Sequence, residues 1–84
     1  MNSTPYRQAQ MAVANLKSAI RKLLRAGPEE GLKNSEIGRT LGIYTGHEGH
    51  EGHIPRTMLA IMENEGVVQQ DDETSRWRLQ RHDS

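Results

Sequence analysis

No cysteine occurs among the 84 residues, so neither a disulfide framework nor a thiolate zinc site is open to this chain. Phenylalanine is absent as well, and the aromatics amount to one tryptophan and two tyrosines. A core must therefore come from aliphatic side chains and methionine, with Trp77 expected to be buried as its largest member. No apolar run is long enough to cross a bilayer or act as a signal peptide, so the expectation is a cytoplasmic protein with no membrane partner. Neither charge is in excess, with 11 basic and 11 acidic residues, so net charge alone names no polyanionic partner. The length fits a single domain over residues 1–84, with a core at about 5–80 and a frayed tail at 81–84. It is too short for a core plus a deep catalytic cleft.

Charge is unevenly spread where it does occur. Residues 1–26 carry Arg7, Lys17, Arg21, Lys22 and Arg25 and no acid, whereas Asp71-Asp72-Glu73 is an acidic run. In the first segment Ser3-Thr4-Pro5 reads as a cap followed by proline in the first helical turn. Val13, Leu16, Ile20, Leu23 and Leu24 recur at three- and four-residue spacing, which predicts a helix to about Arg25 with that stripe in the core. Lys17, Arg21 and Arg25 form a basic ridge on another face. Gly27-Pro28-Glu29-Glu30-Gly31 is a loop by its breakers, and Leu32-Lys33 adds a short extended piece.

A second helix is expected from Ser35 to Leu41, capped by Asn34, complemented by Glu36 at its positive end and stopped by Gly42. Gly38 inside it costs about 1 kcal/mol of helix propensity against alanine, so close packing against another helix is its physical reason. A third helix runs from Ile54 to Glu65, with Pro55 in the first turn and Gly66 in a left-handed closing position. Met58, Leu59, Met62 and Ile61 form its apolar stripe, leaving Arg56, Thr57, Ala60, Glu63 and Asn64 toward solvent. Beyond Gly66 the period changes. Val67-Val68-Gln69-Gln70 and Arg76-Trp77-Arg78-Leu79-Gln80 read as two strands joined by a charged turn, Trp77 and Leu79 pointing one way and Arg76 and Arg78 the other. The fold class is thus mainly helical with a small β-hairpin.

Between Gly42 and the third helix lies a stretch with a Gly-His-Glu repeat, placing His47, His50 and His53 three residues apart. Imidazoles and carboxylates suit first-row metals, but His-x-x-His-x-x-His is not a specific ligand signature and the glycines leave the loop unorganised. The expectation is no metal and no cofactor. Nucleic-acid contact fits better, since glycine lets the backbone approach phosphate and histidine donates to phosphate or a base edge; the plain alternative is a solvated loop. No nucleophile constellation, phosphate loop with its lysine or two-metal carboxylate set is present, so no enzymatic activity is expected.

Leu32 through Ile43, with its small residue at Gly38 and turn glycine at Gly42, resembles the first helix and turn of bacterial helix-turn-helix regulators. Arg56 through Val68 is similar to their recognition helix entering the first strand of a wing, and Arg76-Trp77-Arg78-Leu79 to the returning strand. The resemblance, to winged helix-turn-helix DNA-binding domains, spans about residues 10–80. It implies a three-helix winged fold that binds double-stranded DNA, as a small transcription regulator or the targeting part of a restriction or defence system. Carried over residue by residue, Arg56, Thr57 and Ala60 would meet bases, with Asn64 at the margin. Lys33, Ser35, Arg39, His50 and His53 would hold the backbone, joined by Arg76 and Arg78 from the wing. Two features differ from the family: the insert at Tyr44–Gly52, and an acidic wing tip that phosphate would repel. The second makes a winged-helix protein-interaction module the alternative. So small and neutral a domain is expected to act as a homodimer or with a larger partner.

Overall fold

The computed structural model describes residues 4–46 and 51–80. Three helices, α1 (Thr4–Ala26), α2 (Asn34–Leu41) and α3 (His53–Asn64), precede two short strands, β1 (Val68–Gln70) and β2 (Trp77–Leu79). The strands pair antiparallel, with Val68 opposite Leu79 and Gln70 opposite Trp77. Leu32 adds a bridge on the other edge of β2, its N–H donating to the Trp77 carbonyl (2.9 Å) and its carbonyl accepting from the Trp77 N–H (2.7 Å). The extended Leu32 thus ties the link between α1 and α2 to the hairpin. This is the α+β arrangement expected, mainly helical with a two-stranded sheet.

The two inner glycine stops work in the same way. Gly42 and Gly66 take φ of 73° and 76°, and the residue after each donates back five positions: Ile43 N–H to the Gly38 carbonyl (2.8 Å), Val67 N–H to the Met62 carbonyl (2.9 Å). This is the Schellman closure, which satisfies carbonyls that a helix end leaves open. It also reverses the chain sharply enough for β1 to begin at Val68, directly beneath α3.

The core consists of Ile20 and Leu24 from α1, Ile37 from α2, Met58, Leu59 and Met62 from α3, and Val68 and Trp77 from the hairpin. Trp77 is 5% exposed. At about 1.5–3 kcal/mol for each large side chain removed from water, these eight residues supply most of the drive to fold. Gly38 lies where close approach was expected: a Cβ there would stand 2.9 Å from Tyr44 Cβ and 3.1 Å from Pro55 Cγ of α3.

Three expectations need correction. Val13 is not core but 38% exposed, and every residue from Thr4 to Asn15 is exposed. The 23 residues of α1 extend about 34 Å, whereas the 8 of α2 and 12 of α3 reach only about 12 and 18 Å, so the first half of α1 outruns the body it packs on. Ile61 is likewise 38% exposed and lies outside the α3 stripe. Asn34 does not cap α2; Lys33 holds the cap position, where its N–H donates to Glu36 Oε1 (2.8 Å), and Asn34 is the first helical residue. Among the described residues, no helix is long and apolar enough to cross a membrane.

Candidate functional site

The solvent face of α3 follows from the burial of its other face. Pro55, Met58, Leu59 and Met62 are buried, which turns His53, Arg56, Thr57, Ala60, Ile61, Glu63 and Asn64 outward. Of these, Ile61 was missed from the sequence because its spacing from Met58 and Met62 fits a wider stripe than the body covers.

The start of α3 is fixed by side chains from α2 and the intervening loop. Gly52, at φ 81°, precedes the helix; its carbonyl accepts from Arg56 N–H (3.2 Å) and from Asn34 Nδ2 (3.1 Å), and its N–H donates to the Thr45 carbonyl (3.0 Å). That last bond pinches the neck of the insert, so that residues 45 and 52 meet. A Cβ at Gly52 would fall 2.5 Å from Tyr44 Cε1 and 2.9 Å from Asn34 Nδ2, so both the left-handed φ and the space demand glycine. The Tyr44 ring therefore fills the angle between α2 and α3. On its face sits the Arg39 guanidinium, 4.6 Å from the ring centroid, an arrangement that holds a long cationic side chain near the beginning of α3. Asn34 and Tyr44 are positioning residues that sequence reasoning did not assign; their partners lie far along the chain and leave no local signal.

The proposed backbone contacts separate into groups. Lys33 and Arg39 are exposed and Ser35 is half-buried on α2, while exposed His53 opens α3. His47 and His50 lie outside the described residues, so the three-histidine reading is placed only at His53. Arg76 is half-buried, with its Nη1 donating to the Gly31 carbonyl (3.1 Å) and 3.5 Å from Glu36 Oε1. This contact brings the returning strand to the start of α2 and balances part of the arginine's charge. Arg78 is exposed and lines, with Arg25, Leu24, Glu29 and Gln69, an open groove of about 760 Å³ between the end of α1 and the sheet. The structure thus gathers Arg39, His53 and Arg56 around the start of α3 and sets Arg78 beside α1.

At the hairpin tip Asp71 is structural. Its Oδ1 accepts from the N–H groups of Thr74 (2.8 Å) and Glu73 (2.9 Å), and these bonds hold its carboxyl below the usual carboxylate range. Asp72 and Glu73 stay exposed, so the tip remains acidic. On the far side Lys17 pairs with Glu65 at 2.7 Å, which takes one member out of the α1 basic ridge and clips α1 to the end of α3. For a pair this exposed about 0.2–1 kcal/mol is expected.

No family model, curated protein or solved structure matches this chain.

Proposed function

We propose that this chain is a winged helix-turn-helix domain that binds double-stranded DNA through the outer face of α3. The observation that carries the reading is the exposed row Arg56, Thr57, Ala60, Ile61 and Asn64 on a helix whose opposite face is fully engaged. A rigid helix with one free polar face is what the major groove admits. The order of elements, with Leu32 pairing beside the hairpin and α2 braced on α3 by Asn34 and Tyr44, supports the same reading. Arg56 would read a guanine or meet phosphate, Thr57, Ala60 and Ile61 would offer hydroxyl and apolar contact, and Lys33, Ser35, Arg39 and His53 would hold the backbone. His50 would add to that hold from the insert, whereas Arg78, beside an acidic tip, would add little from the wing, and Arg76 only with the donors that Gly31 and Glu36 leave over.

The acidic tip favours a second reading, a winged-helix protein-interaction module in which Asp72 and Glu73 meet a basic partner. The two are separated by titrating mixed-sequence duplex DNA by fluorescence polarisation at two salt concentrations. Saturable binding that weakens steeply with salt is expected. Arg56→Ala should weaken it by about 1–3 kcal/mol with relaxed preference at one base pair if it reads a base, or evenly across sequences if it meets phosphate. Asp72→Ala should leave binding unchanged or slightly tighter, because a repulsive charge is removed. Unchanged affinity in Arg56→Ala, together with damage from Asp72→Ala to a protein association, would replace DNA by a protein partner.

A further inference from the structure

The outward face of α3 is apolar along one flank. Ala60 and Ile61 follow Thr57 by three and four residues, so the three share a strip, and all are exposed. Among the described residues, Ile61 (38%) is the one exposed large apolar side chain outside the first half of α1. The acids of α3 stand clear of it. Glu63 comes two residues later, about 200° around the helix, on the flank of Arg56. Glu65, one turn beyond Ile61, is bound to Lys17 at 2.7 Å.

We infer that this strip reads the 5-methyl group of pyrimidines in the major groove, so that the preferred duplex carries a thymine or a 5-methylcytosine opposite Ile61. The inference rests on the DNA-binding reading proposed above and adds which feature of the base pair is recognised. On the floor of the major groove the C5-methyl is the apolar group, and the other features are donors and acceptors. Isoleucine can satisfy none of those, and covering them would strip their water without return. A methyl group has no such bond to lose, and its contact with Ile61 removes apolar surface on both sides from water. The side chain is also stiff. Branching at Cβ leaves isoleucine essentially one rotamer in a helix, so little freedom is lost on contact. Reach and charge agree with this. From Thr57 to Ile61 the helix rises about 6 Å, close to two base steps of roughly 3.4 Å, so the strip covers neighbouring base pairs. Lys33, Arg39 and Arg56, exposed on the α2–α3 side, complement the phosphates that border the groove.

The test uses the full chain and the tightest duplex recovered from a randomised pool. Replacing each thymine in turn by uracil deletes one methyl and leaves every hydrogen-bonding group in place. At one or two positions affinity should fall about threefold to fivefold, the effect of leaving one methyl-sized group unburied. Ile61→Ala should melt like the parent, since the side chain is exposed, and its thymine-over-uracil ratio at one of those positions should fall to about one. Replacing each cytosine by 5-methylcytosine separates the two sources of the methyl. A loss with uracil assigns it to thymine, whereas a gain of the same size in a duplex indifferent to uracil assigns it to methylated cytosine. Equal affinity for all these duplexes, with binding still saturable and salt-sensitive, would overturn this inference and leave DNA binding standing. An Ile61→Ala protein that keeps the parent's full ratio at every position would overturn it too. No saturable binding to any duplex would overturn both readings together.

Discussion

Gly38→Ala sets two effects of similar size against each other at the joint that aims α3. On propensity alone the substitution should stabilise α2 by about 1 kcal/mol. Against this, the added Cβ would stand 2.8 Å from Tyr44 Cδ1, 2.9 Å from Tyr44 Cβ and 3.1 Å from Pro55 Cγ. Real Cβ atoms essentially never come as close as the two tyrosine contacts and seldom as close as the proline one, and neither neighbour yields easily: Tyr44 Cβ is fixed to the backbone, and Pro55 is a buried ring in the first turn of α3. Overpacking of this kind costs about 1–3 kcal/mol, and with the close atoms fixed the upper part of that range, about 2–3 kcal/mol, applies, so the net effect should be a loss of about 1–2 kcal/mol. For a domain of this size that is roughly a 4–15 °C drop in melting temperature. Urea unfolding followed by Trp77 fluorescence reads it directly, with an unchanged slope showing that only stability moved. Repeating the substitution in a Tyr44→Gly background removes both tyrosine contacts, so Gly38→Ala should cost less there, and the difference is the coupling energy. A Gly38→Ala protein that melts higher than its parent would refute the claim that Tyr44 and Pro55 close this space.

Trp77→Ala should cost about 3–5 kcal/mol as the truncation of a large buried aromatic, a major fraction of the roughly 4–13 kcal/mol available to a chain of this length, and is checked by loss of the cooperative melting transition. Asp71 sets a pH dependence at the hairpin tip. Because its folded carboxyl is held below its unfolded value, the stability it contributes is complete above about pH 4 and is lost as pH falls through the lowered folded value. Protection of the Glu73 and Thr74 amides, relative to their intrinsic exchange rates at each pH, should therefore fall in acid, whereas Asp71→Asn, which keeps an acceptor oxygen but no titration, should remove that dependence.

What could be read in advance was whatever a residue declares through its own backbone or its near neighbours. Gly42 and Gly66 announced their helix ends because left-handed closure is a property of one position. Trp77 announced its burial because no other side chain of its size competes for the core. Gly38 announced a close contact, although not that half of it is a loop tyrosine. What stayed hidden depends on distance. Asn34 looked like a cap because capping is local, while its actual partner, the Gly52 carbonyl, lies 18 residues on. Helical spacing put Val13 and Ile61 on the apolar stripes, where both prove exposed, because spacing cannot say where the covering body stops. Arg76 and Arg78 alternate with Trp77 as expected, yet only the third dimension shows one turned to Gly31 and the other beside Arg25.

The balance of charge looks less adverse to DNA once the acids are placed. Glu65 is bound to Lys17, Glu36 to the Lys33 amide and Arg76, and Asp71 to its own turn. Three acids are therefore engaged in holding the fold, while Lys33, Arg39 and Arg56 remain exposed on the α2–α3 side. On the proposed reading these three cations supply the phosphate contacts, and the wing, with Asp72 and Glu73 at its tip, supplies few. The salt dependence then has a definite size. Three neutralised phosphates give a slope of log K against log salt of roughly −2.7 per protomer, and a homodimer on two half-sites about twice that. Removing Arg56 should make the protomer slope shallower by about 0.9 if it meets phosphate and leave it nearly unchanged if it reads a base edge. A slope near −5 for a monomer would mean that Arg76 and Arg78 also grip the backbone, which the Glu36 contact and the acidic tip argue against.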